Sequence, residues 1–432
     1  VKHLFKVLSL IAILALILMP ALTWAEEKEG ECGDGACITG DFRWRMEHDG
    51  RDFNADTGPG SFSSLRTRIN AMWHEGDYQG YVQVQQFNTL GTGPGSDLSL
   101  GIHRAMFGKE NCLTEGGYLW LGRMTLTFGD ERLIGAADWG MYGNAFDGIL
   151  HGIKKDQYWA ELFYTKLAEN YAGDVSVRDD AFYGLWGEYT PLKLQAFVLG
   201  RKRAGQRPTD PTNWQNPDVR NTLGIYYTNE YPMNIGTTFN FAYQMGTDKT
   251  LNNPPTTADV ENDIAAMMYA LEVWYNLKDV TWSPTFGVGI DAYTGDDPTT
   301  PDKVESFDNL YWTGHKFFGY MDYFTANQST GMQDIFVKAK VHPKGEDSYL
   351  KLMFHIFSTS ENYASAVDGS DATALGNEID LVCGNKMGEM MNMEAGLGYF
   401  MPAEEWVGKD KDSSLWAYLQ LQLMLGKCEC KE

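Results

Sequence analysis

The sequence predicts an all-β chain: a transmembrane antiparallel up-and-down β-barrel of about 18 strands. Three observations carry this expectation. Segment after segment alternates apolar and polar positions, the period of a strand with two different faces. The connections alternate between tight turns and long stretches rich in Gly, Pro, Asp and Thr, as in outer-membrane barrels with short periplasmic turns. After residue 25 no segment approaches the roughly 20 apolar residues of a spanning helix. The mean hydropathy of −0.35 agrees, because only alternate residues of a barrel strand meet lipid.

Taken in order, the chain opens with Lys2 and Lys6, an apolar run from Val7 to Met19, Pro20 and then Thr23, Trp24 and Ala25. Residues 1–25 read as a secretory signal cleaved after Ala25. An uncleaved anchor helix is the rival, and the run is short for one. Residues 26–37 are expected as a periplasmic N-terminal segment, 38–426 as the barrel and 427–432 as a periplasmic tail. Candidate strands are 38–48, 62–75, 78–88, 100–108, 117–127, 146–155, 158–169, 182–191, 193–203, 219–230, 233–246, 264–277, 281–294, 332–343, 348–359, 375–384, 390–401 and 414–426. Gly76-Asp77, Lys155-Asp156, Tyr231-Pro232, Lys278-Asp279 and Lys344-Gly345 mark tight turns. An even strand number places both termini on the periplasmic side. The last strand sets Leu415, Ala417, Leu419, Leu421, Leu423 and Leu425 on one face and Trp416, Tyr418, Gln420 and Gln422 on the other. Such a leucine stripe is an aggregation hazard in water but suits lipid. A soluble propeller or sandwich is the alternative fold and needs shorter strands.

The 432 residues carry a net charge of −23, which argues against a generic nucleic-acid binder. The segment from Tyr118 to Gly148 combines a strand, a polar and aromatic loop and a returning strand. It contains Gly122-Arg123, Phe128-Gly129-Asp130, Arg132-Leu133-Ile134-Gly135, Asp138-Trp139 and Phe146-Asp147-Gly148. Further on come Phe307-Asp308, the run from His315 to Asp322, the run from Leu375 to Leu381, and Gly398-Tyr399-Phe400. In this order the set resembles the motifs of the alginate export family of outer-membrane β-barrels. The resemblance implies a channel with a basic lumen for an anionic polymer.

The polar strand faces supply the expected pore lining: Arg43, Arg45, Arg66, Arg68, Arg123, Arg201, Arg203, Arg220, Lys338 and Lys340, with Asp147, Glu378 and Asp380 among the acids. Guanidinium groups hold carboxylates through paired hydrogen bonds and bias a pore towards anions. The alternative is that these arginines pair with neighbouring carboxylates and fill the lumen. Trp120, Trp139 and Trp312 are candidates for sugar-stacking platforms, with packing or an interfacial girdle as the other reading. Cys32 and Cys37 precede the first strand and Cys428 and Cys430 follow the last, so a disulfide between these groups is expected at the oxidising periplasmic rim, with a local Cys32–Cys37 loop as competitor. Asp296, Asp297, Asp302 and Asp308 lie in the loop 295–330, read either as a solvated acidic loop or as a calcium site.

No CxxCH motif or zinc spacing appears and no Ser-His-Asp order is tied to a strand-end nucleophile, so neither enzymatic activity nor a cofactor is expected. The expected function is passive passage of an anionic or sugar-like solute, a polysaccharide included, across the outer membrane. The expected partners are lipid, that solute and the barrel assembly machinery. A barrel sheathing a redox or secretion partner is the alternative.

Overall fold

The computed structural model describes residues 35–54, 56–91, 99–168, 180–204, 217–250 and 260–426. The expected signal 1–25, residues 26–34, the tail 427–432, Cys32, Cys428 and Cys430 lie outside the described residues. Eighteen strands form the wall: Gly35–Gly50, Gly60–Glu75, Tyr78–Thr89, Ser99–Glu110, Gly117–Met124, Phe146–Lys155, Tyr158–Ala168, Asp180–Tyr189, Leu194–Arg203, Asp218–Glu230, Ile235–Thr250, Val260–Asn276, Thr285–Tyr293, Met332–Val341, Ser348–Ala364, Asp371–Met387, Met391–Pro402 and Ser414–Leu425. Each pairs antiparallel with its successor. The first pairs with the last from Gly40 opposite Leu425 to Gly50 opposite Leu415, which closes the barrel.

Every strand expected from the alternation is present, with shifted ends. Two shifts have a clear cause. The fifth strand stops at Met124 because Leu126 and Phe128 leave the wall and bury inside. Its neighbour Ser99–Glu110 therefore pairs with it only over Ala105–Glu110. The strand expected from residue 281 begins at Thr285, because Trp282 and Ser283 sit at φ 70° and 43°, outside the extended range.

Alternation sorts the two faces as the period requires. Asp334 and Phe336 point inward and are buried, whereas Ile335 and Val337 point outward and are about half exposed. Leu419, Leu421 and Leu423 lie opposite Met46, Trp44 and Phe42 on the outer face of the seam. With Leu185, Val198, Val288 and Leu352 exposed elsewhere on the wall, the outside is an apolar surface suited to acyl chains.

Two long connections, 125–145 and 294–331, fold into the barrel and bond to each other. The Gly135 N–H donates to the Tyr311 carbonyl (2.9 Å), the Tyr311 N–H to Leu133 (2.9 Å) and the Thr313 N–H to Glu131 (3.0 Å). The Asn144 amide donates to the carbonyls of Gly135 and Tyr311. Apolar packing holds this unit to the wall. Phe128 stacks on Trp186 at 5.1 Å and Trp186 on Phe197 at 4.1 Å, while Leu133, Ile134 and Phe182 are almost wholly buried. Each large apolar side chain buried in this way contributes about 1.5–3 kcal/mol. The main hydrophobic core of this barrel therefore lies inside its lumen.

Cys37 is disulfide-bonded, and Cys112 and Cys383 are free. We propose that its partner is one of the cysteines that follow the last strand, Cys428 or Cys430, because the first and last strands pair with each other up to Gly40 opposite Leu425. The bridge would enclose nearly the whole chain, for which the chain-entropy treatment gives about 5 kcal/mol. Non-reducing peptide mapping is expected to link the Cys37 peptide to one carrying Cys428 or Cys430. A Cys32–Cys37 loop in its place would remove the covalent seam.

Candidate functional site

The lumen is crossed by four contacts between the inserted loops and the wall. The first lies on the opening strands, whose inward period brings Arg43, Arg45, Arg66 and Arg68 to one patch. Asp138 sits at its centre. Its Oδ2 accepts from Arg43 at 2.6 Å, and its Oδ1 accepts from Arg66 at 2.8 Å and Arg68 at 2.7 Å. Arg66 also holds Asp41 at 2.9 Å. Arg45 pairs with Glu47 at 2.8 Å, donates to the Trp139 carbonyl and lies 4.2 Å over the Trp139 ring. Burial would raise the Asp138 carboxyl, but the three guanidinium groups outweigh it and hold this group below the usual carboxylate range.

The second contact is across the barrel. Arg201 pairs with Asp218 of the next strand at 2.6 Å and with Asp308 of the second loop at 2.7 Å. Arg220 donates to Gln244 at 2.8 Å, and Gln244 in turn donates to the Asp308 carbonyl and accepts from its N–H. Here too burial opposes the charge on Asp308, and Arg201 and Arg220 still lower its pKa. In the third contact Arg132, from the first loop, reaches Asp291 on the wall at 2.6 Å and Asp130 at 2.9 Å.

The fourth uses backbone. Glu378 accepts from the Met321 N–H at 2.9 Å and Asp380 from the Tyr320 N–H at 3.3 Å. Gly319, at φ 80°, makes the approach feasible, since a Cβ there would stand 2.4 Å from a Glu378 oxygen. His355 joins Asp334 at 2.8 Å beside them.

The expected pore-lining residues thus fall into distinct groups. Arg43, Arg45, Arg66, Arg68, Arg201 and Arg220 face the lumen but are buried under loop groups. Glu378 and Asp380 face it too and are fully covered by residues 319–321. Arg203 is half-buried at the end of the Arg201 strand. Lys338 pairs with Glu272, Lys340 lies 5.1 Å over the Tyr349 ring, and both stay half-buried in the lumen. Arg123 and Asp147 require correction. Met124, Phe146 and Leu150 turn into the interior core, so the alternation turns Arg123 and Asp147 to the outer face. There they pair at 2.7 Å with 39% and 60% of their side chains exposed.

Trp139 is sandwiched between Arg45 and His315, whose ring lies 3.8 Å away. Trp312 is buried with its Nε1 donating to Thr325, and Trp120 packs against the core. Asp296 and Asp297 cap backbone N–H groups within their own loop. Asp308 serves an arginine. The part played by Asp138 and Asp308 was not read from the sequence. A usable signal existed: in the middles of the strands within 158–203 Phe163, Phe182, Trp186, Phe197 and Leu199 face away from Leu162, Leu185 and Val198, and two apolar faces imply a cover inside the barrel.

A cavity of about 710 Å³ opens at the short-turn end of the barrel, beside the turn carrying Glu346 and Asp347. It is lined by Tyr349, Lys386, Glu394, Gln420 and Gln422. Glu394 accepts from the hydroxyls of Tyr349 and Tyr418. Gln422 donates to Asp41 at 3.0 Å, which connects this cavity to the arginine patch.

Because the Asp138 and Asp308 carboxyls are lowered, their contribution to folding is complete above the ordinary carboxylate range, near pH 4, and is lost as pH falls from there through the lowered values. A spin label at the exposed Gly140 is expected to stay immobile from pH 7 to 5 and to loosen only below about pH 4. Release between pH 7 and 5 would mean that the loop is not held by these ion pairs.

The whole chain is similar in fold to several Occ outer-membrane porins. OccK11 (OpdR) of Pseudomonas aeruginosa aligns at a TM-score of 0.58 with 12% identity, over 94% of this chain and 100% of that one. OccK2 (OpdF) of the same organism, solved in complex with glucuronate, aligns at 0.60 with 10% identity, over 91% and 99%. OccAB4 of Acinetobacter baumannii aligns at 0.59 with 11% identity, over 93% and 100%. Among curated proteins none matches the sequence. The sequence profile described as alginate export matches residues 105–406, which span both inserted loops and most of the wall. An outer-membrane barrel with this match belongs to the alginate export family.

Proposed function

We propose that the protein is a passive outer-membrane channel for solutes bearing a carboxylate on a sugar-like frame, with uronates and their polymers as the class. The observation that carries this reading is the arginine patch at the narrowed lumen. Four arginines, 43, 45, 66 and 68, meet three carboxylates, Asp41, Glu47 and Asp138, so the patch keeps a positive excess. The adjoining cavity offers hydroxyl, amide and aromatic groups suited to sugar hydroxyls. The family description and the glucuronate held by OccK2 support the same class.

In this reading residues 1–25 serve as the export signal, 26–34 and 427–432 lie in the periplasm, and the assembly machinery inserts the barrel into lipid. The chain has no catalytic role. A sheath around a partner protein is disfavoured, because residues 125–145 and 294–331 already occupy the lumen.

Planar-bilayer recording tests the reading. Under a potassium chloride gradient the reversal potential is expected on the anion side, and glucuronate is expected to block current at concentrations where glucose does not. Cation preference with equal response to both sugars would defeat it.

A further inference from the structure

We propose that Asp138 is a resident ligand of the arginine patch, a tethered carboxylate that occupies the site the solute's carboxylate takes during passage. This rests on the functional reading above and adds the place of binding and the group that competes for it.

The geometry is that of a ligand in a site. Arg43, Arg66 and Arg68 converge on one carboxylate and keep 6%, 0% and 8% of their side-chain surface, whereas Asp138 keeps 41%. The cations belong to the rigid wall, and the anion enters from a loop. A wall built only to neutralise these arginines has no need of an acid ninety-five positions away in sequence from Arg43. The cluster also has unused capacity: the Nε groups of Arg43 and Arg66 are buried without a hydrogen-bond partner among the described residues. A buried unpaired donor is costly, so its presence indicates an acceptor that the resting arrangement does not supply.

The carboxylate can leave without unseating its loop. The Asp138 carbonyl accepts from Arg43 and from Arg66 (3.4 Å), and the neighbouring Trp139 and Tyr142 carbonyls accept from Arg45 and Arg68. Rotation of the Asp138 side chain towards solvent would free both Oδ positions. An incoming carboxylate would then take its place between the arginines, so the charge held there stays the same while the displaced Asp138 carboxylate is solvated. Gln422, which lines the cavity and bonds Asp41, marks the side from which the incoming group arrives.

A tethered competitor acts at an effective concentration in the millimolar range, so its removal strengthens binding of a free carboxylate. The test compares wild type with Asp138→Ala, which leaves room for acetate, and Asp138→Asn, which keeps the shape. Resistance of the barrel to heat in detergent reports folding. Acetate, at constant ionic strength against chloride, is expected to raise the unfolding midpoint of Asp138→Ala and leave wild type unchanged. Glucuronate is expected to block Asp138→Ala at roughly tenfold lower concentration than wild type. If acetate stabilises the variant and glucuronate does not block it more strongly, the resident carboxylate stands and the uronate reading fails. If neither variant gains affinity for acetate, the proposal is overturned, whatever the ion preference of wild type. Should Asp138→Ala misfold, recovery of folding by acetate during refolding supports the proposal, and lack of recovery in both variants overturns it.

Discussion

An arginine inside a barrel cannot be left without an anion. Taking a guanidinium out of water is costly unless a carboxylate and good hydrogen bonds replace the solvent. The structure turns on how this requirement is met. Some of the anions come from the wall itself, as with Asp41, Glu47 and Asp218. The decisive ones, Asp138 and Asp308, come from two loops that must enter the lumen to reach their partners.

Charge alone would not keep those loops inside. Ion pairs of this kind roughly balance their own desolvation and give geometry more than net stability. The favourable free energy comes from the apolar cluster built on Phe128, Leu133, Ile134, Trp186 and Phe197. Between Gly117 and Arg203 the middles of the strands are apolar on both faces, outward with Leu162, Leu185 and Val198 and inward with Phe163, Trp186 and Phe197. The strands that line the cavity also carry Phe357, Phe400, Trp416 and Tyr418 of the same cluster, so each is apolar inside towards the inserted loops and polar inside towards the short turns, where the cavity lies.

This division explains why polar groups cluster where they do. Glu378 and Asp380 are sealed by loop N–H groups, so their role is attachment. Lys338, Lys340 and Lys351 stay half-buried in the lumen, held by Glu272, the Tyr349 ring and the Tyr320 hydroxyl in turn. Carboxylate chemistry concentrates at the arginine patch because several guanidinium groups there share few acids. Hydroxyl and amide chemistry concentrates in the cavity that leads to it.

The sequence by itself determined the strand count, the tight turns, the lipid face and the closing pair. All of these follow from a period of two and from turn chemistry, which are local properties. It also marked Arg43, Arg45, Arg66, Arg68, Arg201 and Arg220 as inward, again from alternation. The tertiary structure alone decided which carboxylate each arginine holds. Arg43 meets Asp138 and Arg201 meets Asp308 only after the barrel has closed and the loops have folded back, so no spacing along the chain records the contact. It decided the facing of Arg123 and Asp147 as well. Their strands are apolar on both sides, and alternation leaves two registers open until the interior core takes Met124 and Phe146.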